Sequence, residues 1–279
     1  MFKKNFLNSV VPGMNRGYQK SATGRAKIYP LHAEVNKAIR KRLGRNFSTF
    51  GYGGDNEVEC TIKSQSGHWK PDGFFGLKSQ VSKGILRGGT IDYKAPYSNV
   101  YQNIGNVISA LRSEAAVVRP AGNLFTGFVM VPETVPYFNS DGTVRNLESP
   151  ARKFAKDLNA FANSDSSFDG SPDLIGFCAY RLPGLDLSKI KTKDEYTKAL
   201  AEYNGRIEYV NLEGIKSNGK FIFNNPDEFV KRYSEMVSEH FSENASVEEY
   251  MKLFSQTPIE DQIKYLMQQG KLATAKMSK

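Results

Sequence analysis

The chain has 279 residues, 39% of them hydrophobic and 24% charged, which is enough to bury a sizeable core as one large domain or two small ones. No apolar run approaches the length that spans a bilayer, Cys60 and Cys178 are too few for a disulfide framework, and the scattered His32, His68 and His240 argue against a zinc site. The net charge is +9, and residues 1–45 hold eleven Lys/Arg against Glu34 alone (+10), leaving 27 basic and 28 acidic residues (−1) for the rest.

Residues 1–27 carry no acid and are rich in Gly, Ser, Asn and Gln, which predicts a flexible basic arm. Arg16, Lys20, Arg25 and Lys27 would then meet phosphates of a polyanion. A solubilising tail or an organelle-targeting leader has a similar composition, but the start lacks a cleavage site and no signal peptide is expected. A reducing cytoplasm is the simplest compartment.

The spacing of Leu31, Val35, Ala38, Ile39 and Leu43 predicts a helix over 31–43, stopped at Gly44, with Lys37, Arg40, Lys41 and Arg42 on its other face. A loop at 51–55 and a strand at 58–63 follow. Residues 74–77 are apolar, 78–84 read as a polar turn, and 85–94 as a second strand. A helix over 98–118 carries Val100, Ile104, Val107, Ile108, Leu111 and Ala115 as its apolar stripe. Buried strands are expected at 124–131 and 174–180, with an excursion of short strands around a turn at 139–142 and a helix at 150–162 between them. Beyond these lie a helix at 194–203, strands at 206–212 and 220–223, and helices at 226–241, 246–254 and 258–269. The order predicts an α/β core with a mixed central sheet flanked by helices and a helical C-terminal extension.

Within this pattern, Pro71-Asp72 precedes the first apolar strand and Asp92-Tyr93-Lys94 ends the second. Alternation puts Asp92 and Lys94 on one face of the strand, and a hairpin would bring Asp72 beside Asp92. Asp92 starts the one Asp/Glu-x-Lys triplet in the chain. Of the three Pro-Asp pairs, at Pro71, Pro172 and Pro226, only the first has such a partner at hairpin distance. Two carboxylates suit a hard cation such as Mg²⁺, and an adjacent ammonium suits charge developing on a phosphate. A cross-strand Asp–Lys pair on a solvated face is the plain alternative.

These residues resemble the PD-(D/E)xK nuclease superfamily, and Lys70-Pro71-Asp72-Gly73, Gly105-Asn106 and the string 141–148 are similar to EcoRI-like type II restriction endonucleases. The resemblance implies a restriction-endonuclease-like core over about residues 31–180, with Asp72, Asp92 and Lys94 catalytic. It implies Mg²⁺, with Mn²⁺ as a substitute, and a homodimer cutting double-stranded DNA. The segment between Lys94 and Gly105 is short where such enzymes place recognition elements, so no cognate sequence carries over. The implied metal site is Asp72, Asp92 and the Tyr93 carbonyl, with Glu34 favoured over Glu57 and Glu59 as the completing acid. Lys70, Gln102, Asn103, Arg40 and Lys41 join the arm as candidate DNA contacts, and the loops at 51–56 and 134–146 as candidate readers of bases. The expected domains are an arm at 1–27 and a nuclease domain at 28–279, with the core in 28–182 and additions in 183–279. The other readings are a structure-selective phage or recombination nuclease of the same superfamily, and a noncatalytic DNA-binding protein.

Overall fold

In the computed structural model, which describes residues 6–21, 25–164 and 170–244, the first described element is a helix where an arm was expected. α1 (Phe6–Lys20) buries Phe6, Leu7, Val10, Val11, Met14 and Tyr18. These recur at steps of three and four, a stripe that outweighs the glycines and asparagines between them. The flexible arm is therefore corrected over 6–20. Arg16 and Lys20 lie on the helix's exposed side. A packed helix of this kind supports the fold, so Met14→Ala should cost about 2–4 kcal/mol, read from the denaturant midpoint. An arm free of the core predicts no shift.

α2 (Tyr29–Leu43) ends at Gly44 as expected; Gly44 has φ 82° and donates its N–H to the Arg40 carbonyl. β1 (Phe47–Phe50) was hidden by its length of four residues. β2 (Ile62–Ser64) and β3 (Gly67–Trp69) form a small ribbon, so only the end of the expected strand at 58–63 is extended. β4 (Gly73–Leu77), α3 (Lys78–Val81), β5 (Gly88–Lys94), α4 (Val100–Val118) and β6 (Leu124–Pro132) make the centre. A ribbon of β7 (Val135–Phe138) and β8 (Val144–Glu148), then α5 (Ala151–Ala162) and β9 (Leu174–Arg181), come next. α6 (Lys193–Glu202), β10 (Glu208–Tyr209), β11 (Phe221–Phe223) and α7 (Pro226–Asn244) complete the described elements.

The main sheet runs β1-β4-β5-β6-β9-β10, with β11 also pairing β9. β1/β4 and β4/β5 are antiparallel, while β5/β6 and β6/β9 are parallel. The parallel pairs are joined through α4 and α5, the long connections that parallel strands require. This is the expected mixed sheet flanked by helices. One face of it carries Tyr93, Phe128 and Phe75 against Phe6 of α1, His32 of α2 and Phe229 and Tyr233 of α7. The other face packs against α4 and α5 through Leu111, Ala115, Phe154 and Leu158.

The chain divides into a unit of residues 1–237 and a second of 238–279, where a single domain was expected over 28–279. The expected helices at 246–254 and 258–269 lie outside the described residues. Cys60 and Cys178 are buried free thiols. Among the described residues no helix is long and apolar enough to cross a membrane.

Candidate active site

The β4–β5 register pairs Gly73 with Ile91 and Phe74 with Thr90, and one step outward brings Asp72 opposite Asp92. Asp72 Oδ2 accepts the Tyr93 N–H at 2.9 Å. Glycine is needed on both sides of this acid. A Cβ at Gly73 would lie 2.6 Å from Asn36 Oδ1 and Ile91 Cγ2. Gly51, at φ 103°, has its Cα so close that a Cβ would collide with the Asp72 carbonyl oxygen. Behind β5, the parallel register sets Gly127 beside Asp92, and a Cβ there would press on Leu111 of α4 at 3.1 Å.

Two helices close over the acids. α2 presents His32 and Asn36, four residues apart and so on one face, and both are buried. The His32 ring stacks on Tyr93 with centroids 4.5 Å apart, and Nε2 stands 3.6 Å from Asp72 Oδ2. Burial pushes its pKa down to about 3, so it is neutral at physiological pH. Asn36 Oδ1 accepts the Tyr93 hydroxyl at 2.7 Å, while its amide donates to the Tyr52 and Asp72 carbonyls at 3.0 and 3.4 Å.

α4 presents Glu114, 2% exposed on the apolar stripe between Leu111 and Val118. Lys94 Nζ lies between Asp92, which it contacts closely, and Glu114 Oε1 at 3.0 Å. Burial alone would lower the lysine's pKa, but Asp92 and Glu114 outweigh it and hold the ammonium charged. Burial, and next the charge of Asp92, push Glu114 up to about 8 against the pull of Lys94. The same two causes raise Asp72 well above the usual carboxylate range, opposed by the Tyr93 N–H. The physical origin is common to both. Three carboxylates and one ammonium would sum to −2 if fully ionised, so the cluster retains a proton that belongs to the group as a whole.

That charge excess is what a divalent cation would cancel. Asp92 Oδ2 is already held by the Lys94 ammonium, and Glu114 Oε2 is buried without a hydrogen-bond donor among the described residues. Among the described residues no three His, Cys, Asp or Glu groups already converge around one point; Lys94 stands between Asp92 and Glu114. Mg²⁺ keeps several of its waters and is commonly held by one or two carboxylates; Asp72 and Asp92 are the two such groups here, with Lys94 already on Asp92 Oδ2.

The expected residues divide clearly. Asp72, Asp92, Tyr93 and Lys94 meet at one point. The structure brings Glu114, not Glu34, to Asp92. Glu34 is half-buried and sits two residues from His32, about 200° round the helix at 3.6 residues per turn, off the face that reaches the motif strands. Glu59 pairs with Arg25 at 2.7 Å, and Glu57 is exposed. Lys70 is exposed two residues before Asp72. Gln102 is exposed and donates to the Tyr137 hydroxyl at 2.7 Å, whereas Asn103 turns back to the Asn99 carbonyl at 3.0 Å. Lys27 is half-buried over the Tyr18 ring at 5.8 Å, an internal contact rather than a free cation. Arg40 pairs with Asp55, and with Lys37, Lys41, Arg45 and Lys78 it lines a basic cleft of about 380 Å³. Glu114, His32 and Asn36 escaped the sequence reading, although each is a polar residue set within an otherwise apolar helical stripe.

Comparison with protein-family models, curated proteins and solved structures gives no match to this chain.

Proposed function

We propose that this chain is a Mg²⁺-dependent endonuclease that hydrolyses phosphodiester bonds of double-stranded DNA, site-specific in the manner of type II restriction enzymes and acting as a homodimer. The observation that carries the reading is the meeting of Asp72, Asp92 and Lys94 at one end of the β4–β5 hairpin, partly open to solvent: the side chains of Asp72 and Lys94 are 21% and 24% exposed. The mixed sheet, with its motif strands ahead of the α4 crossover, agrees with the superfamily that the motif resembles.

In this reading Asp72 and Asp92 hold the cation, which supplies a water of lowered pKa and neutralises charge on the phosphate. Lys94 keeps a compact positive charge beside the reacting phosphate and orients the attacking water. Glu114 fixes the lysine's reach. Asn36 and His32 lock Tyr93, and through its N–H the position of Asp72. Exposed Lys70, Arg16, Lys20 and the cleft at Lys41, beside the Arg40–Asp55 pair, provide cations for the DNA backbone.

Incubation with supercoiled plasmid and Mg²⁺ should give discrete linear fragments, and EDTA should abolish them. A smear would point to a structure-selective or nonspecific nuclease. Duplex binding with no cutting in Mg²⁺ or Mn²⁺ would leave a noncatalytic DNA-binding protein.

A further inference from the structure

The β7–β8 ribbon contains an irregularity that changes what it displays. Tyr137 pairs with Asn146 but Phe138 pairs with Val144, so Arg145 is an extra residue without a cross-strand partner. A bulge re-aims side chains. Here Arg145 comes back over the Tyr137 ring, 5.6 Å from its centroid, on the side of Asn146. The Tyr137 hydroxyl in turn accepts from Gln102 of α4. Arg145, Asn146 and Gln102 are all exposed. No acid pairs with Arg145, and neither its guanidinium nor the Asn146 amide makes a side-chain hydrogen bond among the described residues.

The ribbon is braced from behind. Val135 and Phe138 are buried, and the Val144 N–H donates to the Lys191 carbonyl at 2.8 Å. Asn99, in the left-handed conformation at φ 49°, accepts the Phe138 N–H at 2.9 Å and returns a weaker bond to its carbonyl at 3.4 Å. Asn99 lies five residues beyond Lys94, a separation of at most about 18 Å even if fully extended. An outward-facing, preorganised ribbon is thus held within one helical turn of duplex from the lysine.

We infer that the β7–β8 ribbon reads base edges in the major groove of duplex DNA, with Arg145 and Asn146 as the specificity-determining residues and Gln102 beside them. This rests on the duplex-cutting reading above, and it names the part of the substrate that the reading leaves open. The major groove admits a two-stranded ribbon. Arginine offers the paired donors that match guanine O6 and N7, and asparagine the donor and acceptor that match adenine N7 and N6. Tyr137 holds the guanidinium flat at little entropic cost.

The test selects bound duplexes from a randomised library with the full chain, using Ca²⁺ in place of Mg²⁺, then repeats the selection with Arg145→Ala and Asn146→Ala. The expected result is a defined consensus for the unaltered chain. Each variant should lose about 10- to 100-fold discrimination at one or two positions, with affinity for random duplex changed less than about threefold. Both residues are exposed, and thermal melting of each variant checks that it is folded. No consensus, or one that survives both substitutions, overturns the inference. The two readings fail separately: cutting without a consensus sinks the ribbon alone, and a ribbon-dependent consensus without metal-dependent cutting sinks the nuclease alone.

Discussion

Lys94→Ala is expected to lower cleavage by about 10³-fold, the upper range for loss of one preorganised donor to a developing charge, while affinity for duplex in Ca²⁺ changes little. The substitution has a second effect. It leaves Asp92 and Glu114, each 2% exposed, without their shared cation, and stripping one partner from a buried pair costs about 3–5 kcal/mol. Loss of activity must therefore be measured where the variant remains folded. Asp92→Asn separates the two effects, because it abolishes cutting just as thoroughly but removes a buried negative charge and should leave stability unchanged or raised. Single-turnover cleavage beside urea denaturation reads both quantities. An Asp92→Asn protein that still cuts at the original rate would remove Asp92 from the catalytic set and with it the proposed site.

The acids also predict how stability depends on pH. Glu114 titrates at about 8 in the folded chain against 4.5 when unfolded. Between these values the folded state binds a proton that the unfolded state lacks, so stability falls as pH rises. Asp72 is shifted in the same direction. His32 runs the opposite way: its folded value near 3 lies below 6.5, so its contribution grows with pH through that interval. The two trends oppose each other from about pH 4.5 to 6.5. Above 6.5 His32 is neutral in both states and silent, and the acids act alone. Unfolding free energy should drop between pH 6.5 and 8 with a slope of about 1.4 kcal/mol per unit for each retained proton. Glu114→Gln should flatten the slope by one proton and raise stability at pH 8. A slope unchanged by Glu114→Gln would show that the retained proton resides elsewhere in the cluster.

The strands and crossover helices were legible because each is a long apolar run or a sustained helical stripe, as at 124–132 and 100–118. The motif hairpin was legible because the face of each side chain follows from alternation and the two apolar runs lie at hairpin distance. α1 was not. Its glycines, asparagines and basic residues imitate a linker, and only the spacing of Leu7, Val10, Val11 and Met14 reveals a docked face. The third acid was misjudged for a different reason. Glu34 stands out by local charge, being alone in a basic region, whereas Glu114 is chosen by tertiary contact. Its sequence neighbours, Ser113 and Ala115, say nothing of Lys94. The better clue was a carboxylate at a position where the stripe through Leu111 and Val118 demands an apolar residue. Arg145 gives the same lesson, since the bulge that turns it outward depends on strand pairing and leaves no mark in composition.

Gly51 touches none of the proposed catalytic side chains, yet its backbone lies hard against the Asp72 carbonyl, and the loop it opens is tied down by Asp55 through Arg40 and Thr49. The aspartate's place is therefore inherited from a loop as much as from the sheet. If the proposed activity holds, a survey of tolerated substitutions should find Gly51 as intolerant as Asp72 itself, with its losses appearing in turnover before they appear in DNA affinity.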